Sequence, residues 1–325
     1  MSEILVITCP SGKQCSHLIP LIYQKTQFKL RLAAHSHDSA SKLQTKYPEA
    51  EVVVSDISSL DECCKLLSGA TTVYHVGPSF HSRETEMGFN MINAAVAESQ
   101  TPGNKFRHFV FSSVLCTQHR NLMQHDLKSR IEERLNLSPL NFTILQPTNF
   151  MDAYPVAALA SQSSPSLERL WNPDVPNSMI ALRDLAEAAA RVLREGEPHY
   201  LAQYPLCSTL PISDTEVVKV IEKHTGKSIA VHVPSFETGV QNVLKFLFGG
   251  KQPGHYVGEL VDQDFLSPAA DGDLRPDITR DEAERLILFY NRRGLKGSPN
   301  VLRWLIQREP TTVDEWVQMQ LNSTV

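Results

Sequence analysis

The sequence predicts a doubly wound α/β fold, a parallel sheet with helices on both faces, followed by a smaller α+β domain. Over the first 150 residues, short apolar runs alternate with amphipathic stretches, which is the pattern of repeated βαβ units. The apolar runs are β-branched and aromatic with little inside–outside alternation, as expected of strands buried on both faces. After residue 150, helical patterns dominate.

The elements of the first part follow from this alternation. Strands are predicted at 4–8, 29–34, 51–56, 71–77, 108–113 and 141–146. Helices are predicted near 13–26, 59–68, 83–99 and 121–136. Pro20 lies inside the first helix. Because the apolar pattern continues beyond this proline, we expect a kink and not an early stop.

The elements predicted after residue 150 divide the chain into two domains, each built from two separate segments. A strand at 178–182 and an Ala-rich helix at 184–194 are expected to return to the first domain. The first domain is therefore predicted at 1–150 with 178–197, and the smaller substrate or partner domain at 151–177 with 198–325. Further strands are predicted at 200–208 and 229–234, and helices at 214–225, 236–248, 280–293, 299–307 and 311–321. The stretch 249–279, rich in Gly, Pro and Asp, is expected to form a long loop or lid.

Charge and composition exclude several classes of protein. The net charge is −5, and no basic stripe of the kind that binds nucleic acid is present. No apolar run approaches the roughly 20 residues of a membrane helix, and no secretory signal is expected at the N-terminus. The six cysteines show neither CxxC spacing nor the spacing of a disulfide framework, which favours a reducing, cytoplasmic location.

The most informative segment is the turn after the first predicted strand, Ile7-Thr8-Cys9-Pro10-Ser11-Gly12-Lys13-Gln14-Cys15. A strand, a turn and a helix in this order form the phosphate-binding site of Rossmann-type nucleotide folds, in which three glycines are usual. Only the middle glycine, Gly12, is present, and Cys9 and Cys15 occupy the outer two places. By pattern alone, an ordinary strand-to-helix turn remains an alternative.

Several longer stretches resemble the NmrA-like family of atypical short-chain dehydrogenases, in particular a fungal branch of it. The matching stretches are 73–99, 108–118, 124–135, 142–152 and 181–197. The resemblance covers nearly the whole chain. It implies a Rossmann-type domain that binds NAD(P), usually with a preference for NADP. It also implies either reductase activity or a regulatory role that senses the cofactor.

The resemblance also assigns cofactor contacts along the carboxyl ends of the strands. The first turn would hold the pyrophosphate, Asp56 and Ile57 would contact adenine, and two later segments would lie beside the nicotinamide. These positions are Cys9, Ser11, Gly12, Lys13 and Gln14 in the turn, and Val76, Gly77, Pro78, Pro147, Thr148 and Asn149 in the later segments. For Asp56, a simple cap of the strand end is the alternative.

The choice between NADP and NAD depends on the end of the second strand, where a carboxylate would bind the ribose hydroxyls of NAD. The sequence there is Ala34-His35-Ser36-His37-Asp38. At the position directly after the strand, where NAD would need a carboxylate, neither a carboxylate nor the arginine usual in the family is present. His35, Ser36 and Lys42 are candidates for contacting a 2′-phosphate, so NADP(H) is expected and NAD is the less favoured cofactor. His35 and His37 lack further nearby ligands, and no metal site is predicted.

The helix at 121–136 differs from the superfamily pattern at its catalytic position. Relatives carry YxxxK, in which the tyrosine is the general acid; here Lys128 matches the lysine, but Gln124 stands at the tyrosine. An amide cannot donate a proton as a phenol does. In some atypical relatives the lysine itself does the acid–base work, so the resemblance makes Lys128 the first catalytic candidate. Its alternative role is a solvated cation balancing Asp126 and Glu132. Further candidates are His81, Glu84 and Ser113.

Three functions follow. The first is a fungal enzyme of specialised metabolism that uses NADP(H) and a hydrophobic substrate in an interdomain cleft, by hydride transfer or by a redox-neutral rearrangement. The second is a redox-sensing regulator with a protein partner. The third is a protein that has lost cofactor binding.

Overall fold

The computed structural model describes residues 3–78, 81, 83–248 and 276–322. Within these residues the chain forms two compact units. The first contains the residues up to Gln146 together with Leu185–Tyr204, and the second contains Pro147–Asp184 and the described residues from Pro205 onwards. None of the described helices combines the length and the apolar character needed to span a membrane.

A seven-stranded sheet with the order β3-β2-β1-β4-β5-β6-β10 forms the centre of the first unit. Neighbours among β1 to β6 are parallel, so the predicted doubly wound fold class is confirmed. The strands are β1 (Glu3–Thr8), β2 (Phe28–Ala34), β3 (Glu51–Val54), β4 (Thr72–Val76), β5 (His108–Ser112), β6 (Phe142–Pro147) and β10 (Ala202–Leu206).

The strand order reverses between β1 and β4, which pair from Leu5↔Thr72 to Ile7↔Tyr74. Thr8 links the ends of β1 and β4, because its hydroxyl accepts from the Val76 amide at 2.8 Å and donates to the Val76 carbonyl at 3.0 Å. Loops that leave the carboxyl ends of β1 and β4 diverge here, and this is the place where doubly wound sheets bind ligands.

The helices of the first unit cover both faces of the sheet. They are α1 (Lys13–Ile22), α2 (His37–Lys46), α3 (Leu60–Leu67), α4 (Glu84–Gln100), α5 (Met123–Asn136) and α7 (Leu182–Glu195). Pro20 lies within α1, which ends two residues later. The sequence reading missed α2 altogether, although Ser36 caps it and Asp38 pairs with Lys42 one turn later.

Helices α3, α4 and α5 bury one apolar core against the sheet. Phe109, Phe111 and Ile131 are inaccessible to solvent in this cluster. Gly88 in α4 lets α5 approach closely, because a Cβ placed there would lie 2.6 Å from Ile131. The close contact of α4 with α5 decides which of their side chains meet at the carboxyl end of the sheet.

The second unit contains short strands and several helices. Its elements are β7 (Asn149–Phe150), α6 (Val156–Ser161), β8 (Ser166–Glu168), β9 (Met179–Ile180), α8 (Asp214–Thr225), β11 (Ala230–His232), α9 (Phe236–Phe248), α10 (Pro276–Arg292), α11 (Asn300–Ile306) and α12 (Val313–Asn322). β7 pairs with β9 and β8 with β11. Buried Asp184 accepts from Ser208 and from both the backbone and the hydroxyl of Thr311, at 2.7–2.8 Å, so it holds the segment before α12 in place.

Three elements differ from the sequence-based expectation. The strand expected at 178–182 is shorter and pairs with β7, outside the central sheet. β10, expected in the smaller domain, lies beside β6 at the edge of the central sheet, because strand pairing over long sequence distances leaves no local signal. The helix expected at 280–293 begins at Pro276, and residues 249–275 of the expected loop or lid lie outside the described residues.

Candidate functional site

The turn after β1 holds Cys9, at the place of the first glycine, in a backbone conformation that glycine usually adopts. Cys9 has a φ of 49°, a left-handed conformation that favours glycine. The Gly12 amide, expected at the pyrophosphate, donates to the Cys9 carbonyl within the turn at 2.9 Å. A Cβ on Gly12 would lie 3.1 Å from that carbonyl oxygen, so a larger residue would fit tightly at this position.

Cys15 faces the sheet and does not fill the cavity beside the turn. The side chain is buried in α1, and its Sγ donates to the Thr8 carbonyl at 3.6 Å. Burial raises the pKa of this thiol well above its usual range. Cys15 therefore replaces the third glycine as a small packing residue between helix and strand.

The N-terminus of α1 is open to an anion. Gly12 is its N-cap, no side chain caps it, and its first turn holds no acidic residue. The backbone amides at Lys13 and Gln14 belong to the first turn, whose N–H groups have no partner within a helix. The Gln14 side chain points elsewhere, since its Oε1 accepts from the Ser112 hydroxyl at 2.7 Å.

A cavity of about 280 Å³ lies beside this turn. It is lined by Thr8, Cys9, Pro10, Ser11, Gly12, Ala33, Ala34, His35, Ser39, Ser55 and Ile57. These residues lie at or just after the carboxyl ends of β1, β2 and β3, with Ser39 in the first turn of α2. The Ser11 and Ser39 hydroxyls lie 3.0 Å apart at its edge, and the Ser36 hydroxyl accepts from the Ser39 amide at 3.2 Å. Hydroxyls and a helix N-terminus are groups that bind phosphate oxygens.

Asp56 forms the strand-end cap that the sequence left as an alternative. Its Oδ1 accepts from the backbone and the hydroxyl of Ser58, at 2.8 and 2.6 Å. Ser55 and Ile57 line the cavity, whereas Asp56 is not among its lining residues. Ser55 and Ile57 therefore face the cavity, while the Asp56 carboxylate stabilises the turn after β3.

A buried ion pair occupies the carboxyl end of β4. Glu84, at the start of α4, is inaccessible to solvent, and its Oε1 accepts from Nζ of Lys128 in α5. A Cβ on Gly77 would lie 2.6 Å from Glu84 Oε1, so the glycine admits the carboxylate. Both charges influence Cys9, whose pKa burial raises to about 11 with Glu84 adding to the shift and Lys128 opposing it.

Lys128 is not the solvated helix cation that the alternative reading described. Asp126 pairs with Arg120 and Arg130, at 2.6 and 2.8 Å. The Glu132 carboxylate accepts from Thr117 and Gln146, both at 2.9 Å. The expected partners of Lys128 are therefore engaged elsewhere, and its side chain, 10% exposed, turns inward to Glu84.

Unpartnered polar atoms are concentrated at the carboxyl end of the sheet. Among the described residues they include Glu84 Oε2, His75 Nε2, Ser113 Oγ, His125 Nε2, Ser55 Oγ and Arg83 Nη1. Burial raises the pKa of Glu84, and the Lys128 charge opposes that shift. Burial lowers the pKa of His75 to about 3 and that of His125 to about 4, and Lys128 adds to both shifts. Because native proteins satisfy nearly all buried polar groups, this concentration fits a site that takes a ligand.

The remaining predicted residues have varied positions. His81 Nδ1 accepts from the Arg83 amide at 3.2 Å in the turn before α4. Thr148 and Asn149 belong to the second unit, where their side chains bond the Ser178 carbonyl and the Tyr290 hydroxyl, both at 3.0 Å. Pro147 is the last residue of β6, Pro78 lies in the loop after β4, and the backbone of Val76 bonds Thr8. Sequence reading missed Ser39; its spacing three residues after Ser36, typical of a helix cap, was an available signal.

Within the described parts of the chain, His, Cys, Asp and Glu side chains form no group that could hold a metal ion. The site therefore consists of a cavity along β1–β3 and the Glu84–Lys128 pair at β4, with Cys9 next to both. The parallel sheet has this strand order, and a strand–turn–helix lies where the order reverses, between β1 and β4. Together these features define the class of NAD(P)-binding Rossmann-type proteins.

Within that class the chain belongs to the NmrA-like family, whose model matches residues 1–267. No curated protein matches the chain.

Solved structures share the fold at low identity. The NADPH-dependent quinone oxidoreductase QOR2 of Escherichia coli, complexed with NADPH, has a TM-score of 0.69 and 18% identity, covering 97% of this chain and 99% of its own. Citrobacter triphenylmethane reductase, complexed with NADP(H), has a TM-score of 0.71 and 16% identity over 99% and 100%. NmrA, a negative transcriptional regulator in complex with NAD, has a TM-score of 0.65 and 13% identity over 99% and 98%.

Proposed function

We propose that this protein is an NADP(H)-dependent oxidoreductase that acts on a hydrophobic small molecule, as an enzyme of fungal specialised metabolism. The observation that supports this proposal most is the Glu84–Lys128 pair at the carboxyl end of β4, surrounded by unpartnered polar atoms. A regulator that only binds a dinucleotide has no need of a buried proton-exchanging pair there. The named quinone and triphenylmethane reductases supply the reaction class.

The residues present fit a dinucleotide. The cavity along β1–β3 suits the adenosine half, with the uncapped N-terminus of α1 beside it. For the 2′-phosphate of NADP(H) we assign Ser11, His35 and Ser39, which line this cavity, with Ser36 capping α2 beside them. Cys9 connects this cavity with Gly77 and the ion pair, where the nicotinamide half would lie. A bound nicotinamide supplies or accepts hydride.

In this proposal the Glu84–Lys128 pair transfers the proton that accompanies hydride transfer. Burial raises the pKa of Glu84 and the Lys128 charge opposes this rise, and we assign the proton transfer of the reaction to this pair. We assign the proton donor to Lys128, whose ammonium Glu84 holds in place. Ser113, whose buried hydroxyl has no partner among the described residues, is positioned at the end of β5 to hydrogen-bond the reacting ligand.

The test begins with titration of the purified protein with NADPH and with NADH. Binding is measured by calorimetry, and stabilisation is measured by thermal unfolding. We expect NADPH to bind more tightly and to raise Tm, since a ligand at 100 times its Kd stabilises the native state by about 2.7 kcal/mol. His35→Asp places a carboxylate at the end of β2 and should reverse the preference. Oxidation of NADPH with quinones and triphenylmethane dyes then tests turnover. Binding of neither dinucleotide would reject the proposal.

A non-catalytic redox sensor with a protein partner is the second candidate. It is favoured by Gln124 at the tyrosine position and by the named regulator among the similar structures. Tight NADPH binding with no oxidation of the cofactor across the substrate panel would favour this function over the first.

A further inference from the structure

His125, on α5 one turn before Lys128, is held in a defined orientation with one nitrogen unused. The side chain is inaccessible to solvent. Its Nδ1 lies 2.9 Å from the Cys116 carbonyl oxygen. A carbonyl can only accept, so Nδ1 carries the hydrogen, and in the neutral ring Nε2 presents a lone pair. Among the described residues this Nε2 has no hydrogen-bond partner.

The backbone is strained to create this arrangement. Cys116 has a φ of 60°, a conformation that non-glycine residues adopt only at an energetic cost. Its carbonyl accepts from the His119 amide at 2.9 Å as well as from His125. The strained residue therefore orients the carbonyl that fixes the histidine tautomer, and strain of this kind is concentrated at ligand sites.

The surroundings keep the imidazole neutral. Burial lowers the pKa of His125 to about 4, with the charges of His119 and Lys128 adding to the shift and the Cys116 hydrogen bond opposing it. A neutral imidazole at physiological pH is an acceptor at Nε2. It attracts a hydroxyl or N–H and repels carboxylate or phosphate oxygens.

We propose that His125 Nε2 accepts a hydrogen bond from a neutral hydroxyl or N–H group of the ligand bound beside Lys128. This inference rests on the proposed site and specifies the group that faces His125 Nε2 as a hydroxyl or N–H donor. The same donor chemistry is available from the ribose hydroxyls or carboxamide of the cofactor. The experiment therefore has one arm for each source.

The first experiment follows the His125 Nε2 resonance by ¹⁵N NMR of histidine-labelled full-length protein. An unprotonated imidazole nitrogen shifts upfield when it accepts a hydrogen bond. NADPH and phenol are the probes, and toluene, of similar shape without a hydroxyl, is the control. A shift with NADPH identifies the cofactor as the donor, and a shift only with phenol identifies the substrate. No shift with either probe, or an equal shift with toluene, would overturn the inference.

Two variants of His125 provide an independent measurement. His125→Asn keeps a donor at the Nδ1 position for the Cys116 carbonyl but removes the Nε2 acceptor. His125→Gln places an amide oxygen near Nε2. We expect His125→Asn to bind the active probe about fivefold to tenfold more weakly, the loss of one neutral hydrogen bond, and His125→Gln to recover part of it. Equal affinity in both variants and wild type contradicts the inference, while failure of wild type to bind NADPH contradicts only the proposed cofactor.

Discussion

At the scale of single residues, the buried Glu84–Lys128 pair joins two helices at the carboxyl end of β4. A carboxylate inaccessible to solvent is tolerated because an ammonium and the positive end of α4 lie next to it. Gly77 leaves the space that the carboxylate occupies. The pair is therefore coupled, and neither member can be replaced independently of the other.

Lys128→Met should destabilise the protein by about 3–5 kcal/mol, because it leaves Glu84 buried without a counter-charge. Glu84→Gln combined with Lys128→Met should recover most of this loss in urea denaturation at pH 7, while turnover remains abolished. Lys42→Met, which breaks the exposed pair with Asp38, is the control and should change stability little. A single-variant cost no larger than that of the control would argue against a buried pair.

At the scale of elements, the contact between α4 and α5 places Glu84 next to Lys128. Gly88 is the point of closest approach, where Ile131 would lie 2.6 Å from an added Cβ. Both residues lie in the interior of the unit. The glycine is therefore required by helix packing, although it lowers the intrinsic stability of α4.

Gly88→Ala should destabilise the fold by about 1–2 kcal/mol, since overpacking costs about 1–3 kcal/mol and alanine returns up to about 1 kcal/mol of helix propensity. The matched variant is Ile131→Ala, which creates space opposite. In chemical denaturation the double variant should lose clearly less than the sum of the two single variants. Strict additivity would show that the two residues do not limit this contact.

At the scale of the whole molecule, several histidines are buried in neutral form. Burial lowers the pKa of His75 and His108 to about 3 and that of His125 to about 4, against about 6.5 in the unfolded chain. Their contribution to stability is fully present above the unfolded pKa. It is lost as the pH falls from about 6.5 towards the folded values, because only the unfolded chain takes up the protons.

Each buried histidine should therefore add a slope of about 1.4 kcal/mol per pH unit to the free energy of unfolding between roughly pH 4 and 6. His108→Gln keeps a donor near Nε2 for the Thr143 hydroxyl, 2.8 Å away, and should flatten this slope by one proton. His37→Gln, at an exposed position, is the control and should leave it unchanged. Identical slopes in all three proteins would show that His108 titrates normally.

The predicted site was recovered unevenly from the sequence. The strand–turn–helix and the absence of a carboxylate after β2 are local features, so Gly12, Ser11 and His35 were found and do line one cavity. Lys128 was found through a motif and Glu84 as a separate candidate, but their pairing was not predicted, because the two residues lie 44 positions apart. The fixed tautomer of His125 depends on a backbone angle at Cys116, for which the sequence carries no signal.

The sequence by itself determined the class of fold, the order of most elements and the NmrA-like family, because hydrophobic periodicity and turn chemistry are encoded over short stretches of chain. The tertiary structure decided which side chains meet: the carboxylate opposite Lys128, the carbonyl that takes the Gly12 amide, and the place of β10 at the edge of the sheet. The ion pair and the β10 pairing join residues that are distant in the chain, and the energies of all three contacts depend on burial and geometry that exist only once the chain has folded.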